Sequence, residues 1–238
     1  VSDLSIRSQE YPVSKPLPLN GRHIIRGGET LFSIAWRYGI DYKKIANLNN
    51  IHSPFRIFPG QVLLLDKKSI EQSKSISKAA KNPKNPSYIA DSYKKPQDKN
   101  KEIHQKDSHE SQKGVKIYWS WPVGGEVIEK FSVKGIGNKG LDFSGIKGSR
   151  VKAAASGKVV YSGNGLRGYG NLIIIKHSDV FLSAYAHNSR ILVKEGDVVK
   201  AGEKIAEIGS SGTNREKLHF EIRRRGKPVD PLRYLPKR

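Results

Sequence analysis

The C-terminal half of the chain alternates short apolar runs with glycine-containing turns, and this pattern constrains the fold more than any other. The runs are rich in β-branched and aromatic residues, and none repeats at helical spacing. Gly163, Gly165, Gly168 and Gly170 frame a loop that needs unusual backbone angles. Residues 119–238 are therefore predicted to form an all-β domain of packed antiparallel sheets. Strands are expected at residues 126–131, 151–154, 157–162, 171–177, 181–187, 205–209 and 218–223.

Residues 22–66 have a different pattern, in which two apolar runs flank two helical periodicities. Glu29-Thr30 is predicted to open the first helix and Gly39 to end it. Asp41 is a suitable N-cap for the second helix. The predicted order is strand, helix, helix, strand, which makes this segment a small α+β module. The two strands are expected at residues 23–25 and 61–65.

Two segments lack the apolar periodicity that a packed core requires. Residues 1–21 contain three prolines and are predicted to be a disordered tail. Residues 67–118 are rich in Lys, Ser, Asn, Gln and Pro and are predicted to be a disordered basic linker. The chain is therefore expected to hold two folded domains, at 22–66 and 119–238, joined by a linker that sets their reach.

The charge balance predicts attraction to polyanions. Lys and Arg number 43 against 22 acidic residues, which gives a net charge of +21. Nucleic acid, anionic lipid headgroups and an acidic wall polymer would all suit such a chain. The run Arg223-Arg224-Arg225 lacks the interleaved aromatic residues of a nucleic-acid platform, so a solvated basic surface is favoured and no nucleic-acid partner is predicted.

The residue types that are missing exclude several classes of site. The chain has no cysteine, which rules out disulfides, thiolate metal sites and a cysteine nucleophile. No apolar run approaches the roughly 20 residues of a membrane-spanning helix. The N-terminal residues also lack the hydrophobic region of a signal peptide.

Three short motifs carry the residues best suited to a reaction centre. They are Gly137-Asn138-Lys139-Gly140-Leu141-Asp142, Tyr185-Ala186-His187 and Lys217-Leu218-His219. Their spacing resembles the zinc centre of LytM-type (lysostaphin-like) peptidoglycan endopeptidases, in which His-x-x-x-Asp and the second histidine of His-x-His bind the metal. The resemblance runs from Trp121 to Leu235 and implies an antiparallel β-sandwich of the LytM-type peptidase fold.

The sequence departs from that family's pattern at two positions. Asn138 stands where the first ligand histidine is expected, and Lys217 stands where the catalytic histidine is expected. A hydrolytic zinc site needs three good protein ligands and an open position for water. Only Asp142 and His219 remain, and a protonated lysine would repel a dication. The domain is therefore predicted to be a degenerate peptidase without catalytic residues, bound metal or cofactor.

The N-terminal module resembles the LysM family. The matching stretches are Gly28-Glu29-Thr30-Leu31, Leu48-Asn49 and Pro59-Gly60-Gln61. The resemblance implies binding of glycan that contains N-acetylglucosamine, chiefly peptidoglycan strands, in a shallow groove. The glycan-binding residues it suggests are Gly28, Glu29, Thr30, Leu48, Asn49 and Ile51.

A LysM module, a linker and a degenerate LytM-type domain together resemble the murein hydrolase activators of Gram-negative bacteria. This resemblance implies a periplasmic protein that binds a zinc-dependent N-acetylmuramyl-L-alanine amidase and relieves its autoinhibition. The family is described as lipid-anchored through an N-terminal cysteine, so membrane association is expected if the full-length protein carries such an anchor; Val1 stands at the start of this sequence.

The vacated cleft is the predicted docking surface for the amidase. Its floor is assigned to Asn138, Asp142, His187, Lys217 and His219, and its rim to Arg167, Tyr169 and Arg215. Lys217 is expected to pair with Asp142 or with an acidic side chain of the partner. His187 and His219 are expected either to form part of this surface or to be hydrogen-bonded core residues. Two alternatives stay open: a working zinc endopeptidase with a reduced ligand set, and a passive peptidoglycan-binding protein.

Overall fold

A computed structural model describes residues 15–66, 116–134 and 137–238. The predicted tail up to residue 14 and the predicted linker over residues 67–115 lie outside this range. The N-terminal module contains β1 (Arg22–Ile24), α1 (Leu31–Tyr38), α2 (Tyr42–Leu48) and β2 (Val62–Leu64). The C-terminal domain contains β3 (Val127–Glu129), β4 (Leu141–Ser144), β5 (Arg150–Lys152), β6 (Gly157–Gly163), β7 (Leu172–Lys176), β8 (Phe181–Ala186), β9 (Arg190–Ile191), β10 (Val198–Val199), β11 (Lys204–Glu207), β12 (Lys217–Arg224), β13 (Lys227–Val229) and a 3-10 helix (Pro231–Arg233).

The N-terminal module has the predicted βααβ order. Strands β1 and β2 pair antiparallel. Helix α1 begins with a capping box in which the side chains of Thr30 and Ser33 each accept a hydrogen bond from the other residue's backbone N–H. It ends at Gly39, whose φ of 62° is the left-handed conformation that glycine adopts without strain. Asp41 caps α2, as expected. These local signals confirm the predicted α+β module.

The C-terminal domain consists of two antiparallel sheets. The larger has the strand order β10-β6-β7-β8-β12-β4-β3, with β13 also paired to β12, and the smaller has the order β5-β11-β9. The predicted antiparallel architecture is confirmed. The sequence patterns missed β4, because its apolar residues Leu141 and Phe143 form only a short run after a glycine-rich stretch. They also missed the short strands β9, β10 and β13.

Alternation along β12 separates an apolar face from a charged face. Leu218, Phe220 and Ile222 belong to the core between the two sheets. The odd-numbered residues of β12 point to the opposite face, because successive side chains of a strand alternate. These residues are Lys217, His219, Glu221 and Arg223, and all four are buried.

A second core joins the N-terminal module to the face of the large sheet that carries these charged residues. Trp36 and Ile34 of α1 lie in one apolar cluster with Leu172 and Ile174 of β7. The remaining members of this cluster on the large sheet include Val160, Tyr161, Leu182, Ala184 and Ala186. The module and the sheet therefore share one continuous core. No helix in the described part of the chain is long and apolar enough to cross a membrane.

Candidate functional site

Asp142 stands at the centre of the candidate site, on β4 and opposite His219 of β12 in the strand register. Its carboxylate accepts hydrogen bonds from Lys217 Nζ at Oδ2 and from His219 Nδ1 at Oδ1, both at 2.7 Å. Asn138 Nδ2 contacts the same Oδ1 at 3.3 Å. The side chains of Lys217 and Asp142 are 3% and 0% exposed, so this ion pair is shielded from water. The predicted pairing of Lys217 with Asp142 is present.

Asn138 is held beside Asp142 by the turn that precedes β4. Its Oδ1 accepts a hydrogen bond from the backbone N–H of Gly140 at 3.0 Å. A side chain at Gly140 would collide with the backbone of β12, since an added Cβ would lie 2.1 Å from the carbonyl oxygen of Phe220. The turn therefore packs directly on β12 and carries Asn138 into the site.

The charges at this site stabilise one another. Burial alone would raise the pKa of Asp142, but its hydrogen bonds and attraction to His219 and Lys217 outweigh burial and bring that pKa to about 2. Burial alone would lower the pKa of His219, but hydrogen bonds to Asp142 and Glu221 raise it to about 9. His219 is therefore an imidazolium at neutral pH, with a hydrogen on each ring nitrogen.

The network continues along β12 beyond the predicted residues. His219 Nε2 lies 3.2 Å from Glu221 Oε1, and Arg223 Nε donates to Glu221 Oε2 at 2.9 Å. Charges of opposite sign alternate in the order Lys217, Asp142, His219, Glu221 and Arg223, and these five residues are called the charged cluster below. Burial would raise the pKa of Glu221, but Arg223 and then His219 lower it to about 2.

Two predictions about this region are wrong. Arg223 was expected on a solvated basic surface, yet it is 1% exposed, whereas Arg224 and Arg225 are exposed. Strand alternation turns Arg223 onto the buried face. Tyr169 was expected on an open rim, yet it is 4% exposed and donates its hydroxyl to Glu221 at 2.7 Å. It is buried because the glycine-containing loop turns inward, toward Arg223 and Trp36.

His187 lies beside the charged cluster with its ring centre 6.1 Å from that of His219. Its Nδ1 is 2.8 Å from the carbonyl oxygen of Ser211, so Nδ1 carries the hydrogen. Its φ of 66° is uncommon for a residue with a side chain. Burial and then the positive charge of His219 lower its pKa to about 4. His187 is therefore neutral and hydrogen-bonded at physiological pH.

Arg167 and Arg215 are exposed, as the predicted rim requires. Near Arg215 lies Glu129 of β3, a residue that the sequence patterns did not single out. The pKa of Glu129 is raised by partial burial and by repulsion from Asp142, which outweigh its attraction to Lys217 and Arg215. The surface next to Asp142 is thus of mixed charge rather than purely basic.

Three of the predicted glycan-binding residues have their polar atoms engaged within the protein. Glu29 forms ion pairs with His23 and Arg37. Thr30 caps α1 and donates to the carbonyl oxygen of Val160 at 3.1 Å. Asn49 donates to two carbonyl oxygens, those of Ile45 and Leu64, and accepts from the N–H of Leu64, each at 2.8 Å.

The other three predicted glycan-binding residues differ in exposure. Gly28 is exposed, with a φ of 77° and open space around it. Leu48 and Ile51 are half-buried.

Sequence reasoning missed Glu221, Arg223 and Trp36. For Glu221 and Arg223 a signal was available, because positions 217, 219, 221 and 223 alternate on one face of a strand. For Trp36 there was none, because its contact with Arg223 joins residues separated by 187 positions.

The side chains at this site do not suit the zinc ion that the peptidase fold implies. Asn138 and Lys217 stand at two positions where the resemblance implies histidines, and the Lys217 ammonium contacts Asp142 directly. His219 has a carboxylate at each ring nitrogen, so neither nitrogen offers a lone pair. Across residues 15–66, 116–134 and 137–238, no group of three or more His, Cys, Asp or Glu side chains could hold a metal ion.

Comparison with known sequences agrees with both modules. The sequence model of the LysM domain matches residues 23–66, and that of Peptidase family M23 matches residues 136–231. The chain is thus a LysM protein with an M23-type domain. It belongs to the NlpD family of murein hydrolase activators.

Three relatives show the extent of the similarity. The Murein hydrolase activator NlpD of Escherichia coli is 40% identical over 91% of this chain and 68% of its own length. The Lipoprotein NlpD/LppB homolog of Pseudomonas aeruginosa is 44% identical over 92% of this chain and 78% of its own length. The Outer membrane antigenic lipoprotein B of Haemophilus influenzae is 39% identical over 94% of this chain and 66% of its own length.

Proposed function

We propose that this chain is a non-catalytic activator of a zinc-dependent N-acetylmuramyl-L-alanine amidase. In this role it promotes peptidoglycan cleavage at the septum and the separation of daughter cells. Its LysM module binds the glycan strands and keeps the activator at the wall. The names of the relatives support the activator role, and the LysM match supports the wall as the place of action.

The absence of catalytic activity is proposed because both oxygens of the Asp142 carboxylate are already hydrogen-bonded to cationic side chains. Lys217 and His219 each contact one of its oxygens at 2.7 Å, so the carboxylate already has two cationic partners. A metal ion would have to displace a buried ammonium and take a proton from an imidazolium. Both changes leave charges unpaired in a buried site, which is costly.

Activation requires that the protein bind the active form of the amidase more tightly than the inhibited form, because an equal binder shifts no equilibrium. The docking surface lies around the substituted centre. The exposed residues Arg167 and Arg215 stand on its rim and suit an acidic partner surface. Arg215 lies in the loop just before β12, and the hydrogen bonds of the charged cluster fix that strand.

The proposed location is the periplasm, in association with the outer membrane. Relatives that carry the names outer membrane lipoprotein and murein hydrolase activator support this placement. A basic chain with a net charge of +21 is also suited to an environment of anionic lipid and wall polymer.

Labelled sacculi test the proposal. The purified protein is incubated with them alone, with an autoinhibited amidase, and with both EDTA and the amidase. Release only when the amidase is present and its zinc is intact supports activation. Release by the protein alone would show that it is a zinc endopeptidase, and sedimentation with the sacculi without any release would show that it is a passive wall binder.

A further inference from the structure

The LysM module is seated on the large sheet through specific polar contacts as well as apolar packing. Arg223 Nη1 donates to the carbonyl oxygen of Trp36 at 2.6 Å, and its guanidinium lies 3.6 Å from the centre of the Trp36 ring. At the edge of the contact, Lys43 Nζ pairs with Asp179 Oδ2 at 2.7 Å. Such a combination of cation–π contact, carbonyl hydrogen bond and ion pair defines one orientation of the module.

The covered face is the same face that carries the charged cluster. In the register of β8 and β12, Ala186 is opposite His219, Ala184 is opposite Glu221, and Leu182 is opposite Arg223. Directly opposed residues of neighbouring strands point to the same side of a sheet. Leu182, Ala184 and Ala186 all belong to the apolar cluster shared with the LysM module. The module therefore occupies the surface that adjoins the substituted centre.

We propose that the LysM module is an intramolecular occupant of the surface on which the partner amidase docks, so that the module must leave before the amidase can bind fully. This inference rests on the proposed function and names its regulation. The docked module holds the activator in an inactive form. Undocking exposes Arg223 and the apolar side chains of β7 and β8 together.

The contact between Trp36 of the LysM module and Arg223 indicates which chemical groups the amidase would present when it replaces the module. Trp36 lies in the last turn of α1, where its carbonyl oxygen accepts from the backbone N–H of Gly39 at 3.2 Å and, in addition, from Arg223. Hydrogen bonds to Glu221 and Tyr169 orient the Arg223 guanidinium. The guanidinium then donates to the Trp36 carbonyl oxygen and stacks on the Trp36 ring. The matching partner element is the C-terminal end of a helix that presents an aromatic ring and a carbonyl oxygen able to accept one more hydrogen bond.

Gly226 provides a way to separate the modules without altering the charged cluster. It has a φ of 78°, and an added Cβ would lie 2.4 Å from the backbone of Ile40 in the LysM module. Gly202 is a matched control, because it has a φ of 81° and open space around it. Asparagine tolerates this backbone region, so Gly226→Asn and Gly202→Asn share the same local strain and differ in the clash.

Cross-linking the LysM module to the C-terminal domain gives a locked form, in which the module cannot undock. The chain has no cysteine, so Lys43→Cys with Asp179→Cys creates two specific attachment points across the contact. A short bismaleimide then joins the modules covalently. The same double variant, blocked with a monofunctional maleimide, is its control.

The test measures the affinity of each form for the purified amidase by titration and its activation of that amidase on sacculi. When only a fraction of molecules is undocked, the apparent affinity is reduced by that fraction. We expect Gly226→Asn to bind about tenfold more tightly than Gly202→Asn, and the locked form to bind at least about tenfold more weakly than its blocked control.

The outcomes separate this inference from the proposed function. Equal affinity and activation in the locked and blocked forms would overturn the inference and leave the activator role intact. No binding or activation by any form would overturn the proposed function and the inference with it. The locked pair decides the question even if Gly226→Asn does not fold.

Discussion

Lys217 Nζ lies 2.7 Å from Asp142 Oδ2 in a pair whose side chains are almost fully buried. The resemblance to the peptidase pattern implies that this carboxylate would bind a metal ion; here the lysine ammonium supplies the positive charge beside it. A buried carboxylate requires such a partner, because an uncompensated charge in a low-dielectric interior is unstable. The lysine thus balances the charge of the buried carboxylate.

Replacing Lys217 with methionine should destabilise the fold by about 3 kcal/mol, because Asp142 loses a buried cationic partner. Chemical denaturation at pH 7 measures this change in the free energy of unfolding. Lys158→Met, at an exposed position on β6, is the control and should change stability by less than about 0.5 kcal/mol. A loss as small as that of the control would show that the pair does not hold the site together.

Restoring histidine at both substituted positions should restore zinc affinity. Asn138→His combined with Lys217→His removes the ammonium from Asp142 and returns a nitrogen ligand beside it. Metal analysis after dialysis against trace zinc should find bound metal in the double variant and less in either single variant. The same double variant should activate the amidase more weakly. Metal content equal to that of the wild type would contradict this interpretation of the site.

Acid should destabilise the protein through His177, which packs beneath Trp119 and contacts Ser156 and Ser183. Burial lowers its pKa from 6.5 to about 4. Between these values the unfolded chain binds more protons than the folded protein, so stability rises with pH. This contribution is complete above pH 6.5 and is lost as the pH falls toward 4.

The His177 contribution is measured by the free energy of unfolding from pH 4 to pH 7 in wild type and His177→Gln. We expect the variant to show a pH dependence smaller by about 2 kcal/mol over this range. His52→Gln, at an exposed position, is the control and should retain the wild-type profile. Identical profiles for wild type and His177→Gln would exclude His177 as the source.

Asn49→Ala should destabilise the LysM module rather than merely weaken its binding to glycan. The side chain links the end of α2 to β2 through three hydrogen bonds of 2.8 Å. Their loss removes these partners from the half-buried N–H and carbonyl oxygen of Leu64 and should cost about 2–3 kcal/mol. Thermal unfolding compares this variant with Asn47→Ala, an exposed position on α2. Unchanged stability together with lost glycan binding would instead make Asn49 a direct ligand.

The sequence by itself determined the local structure and the donor set of the site. Thr30, Gly39 and Asp41 placed the ends of the helices, because caps act on the adjacent turn. Asn138, at a predicted ligand position, and Lys217, at the predicted catalytic position, led to the prediction of a degenerate site, because metal chemistry depends on residue type. The alternation that places His219, Glu221 and Arg223 on one face of a strand is also present in the sequence.

Only the tertiary structure decided what covers the charged face. Arg223 meets Trp36 across 187 positions, and Thr30 meets Val160 across 130. Local periodicity shows which side chains share a face, but it carries no information about which distant element packs on that face. The inward position of Tyr169 has the same origin, because its hydroxyl is directed by Glu221, 52 positions away. Long-range packing thus turned an expected open cleft into a buried, covered network.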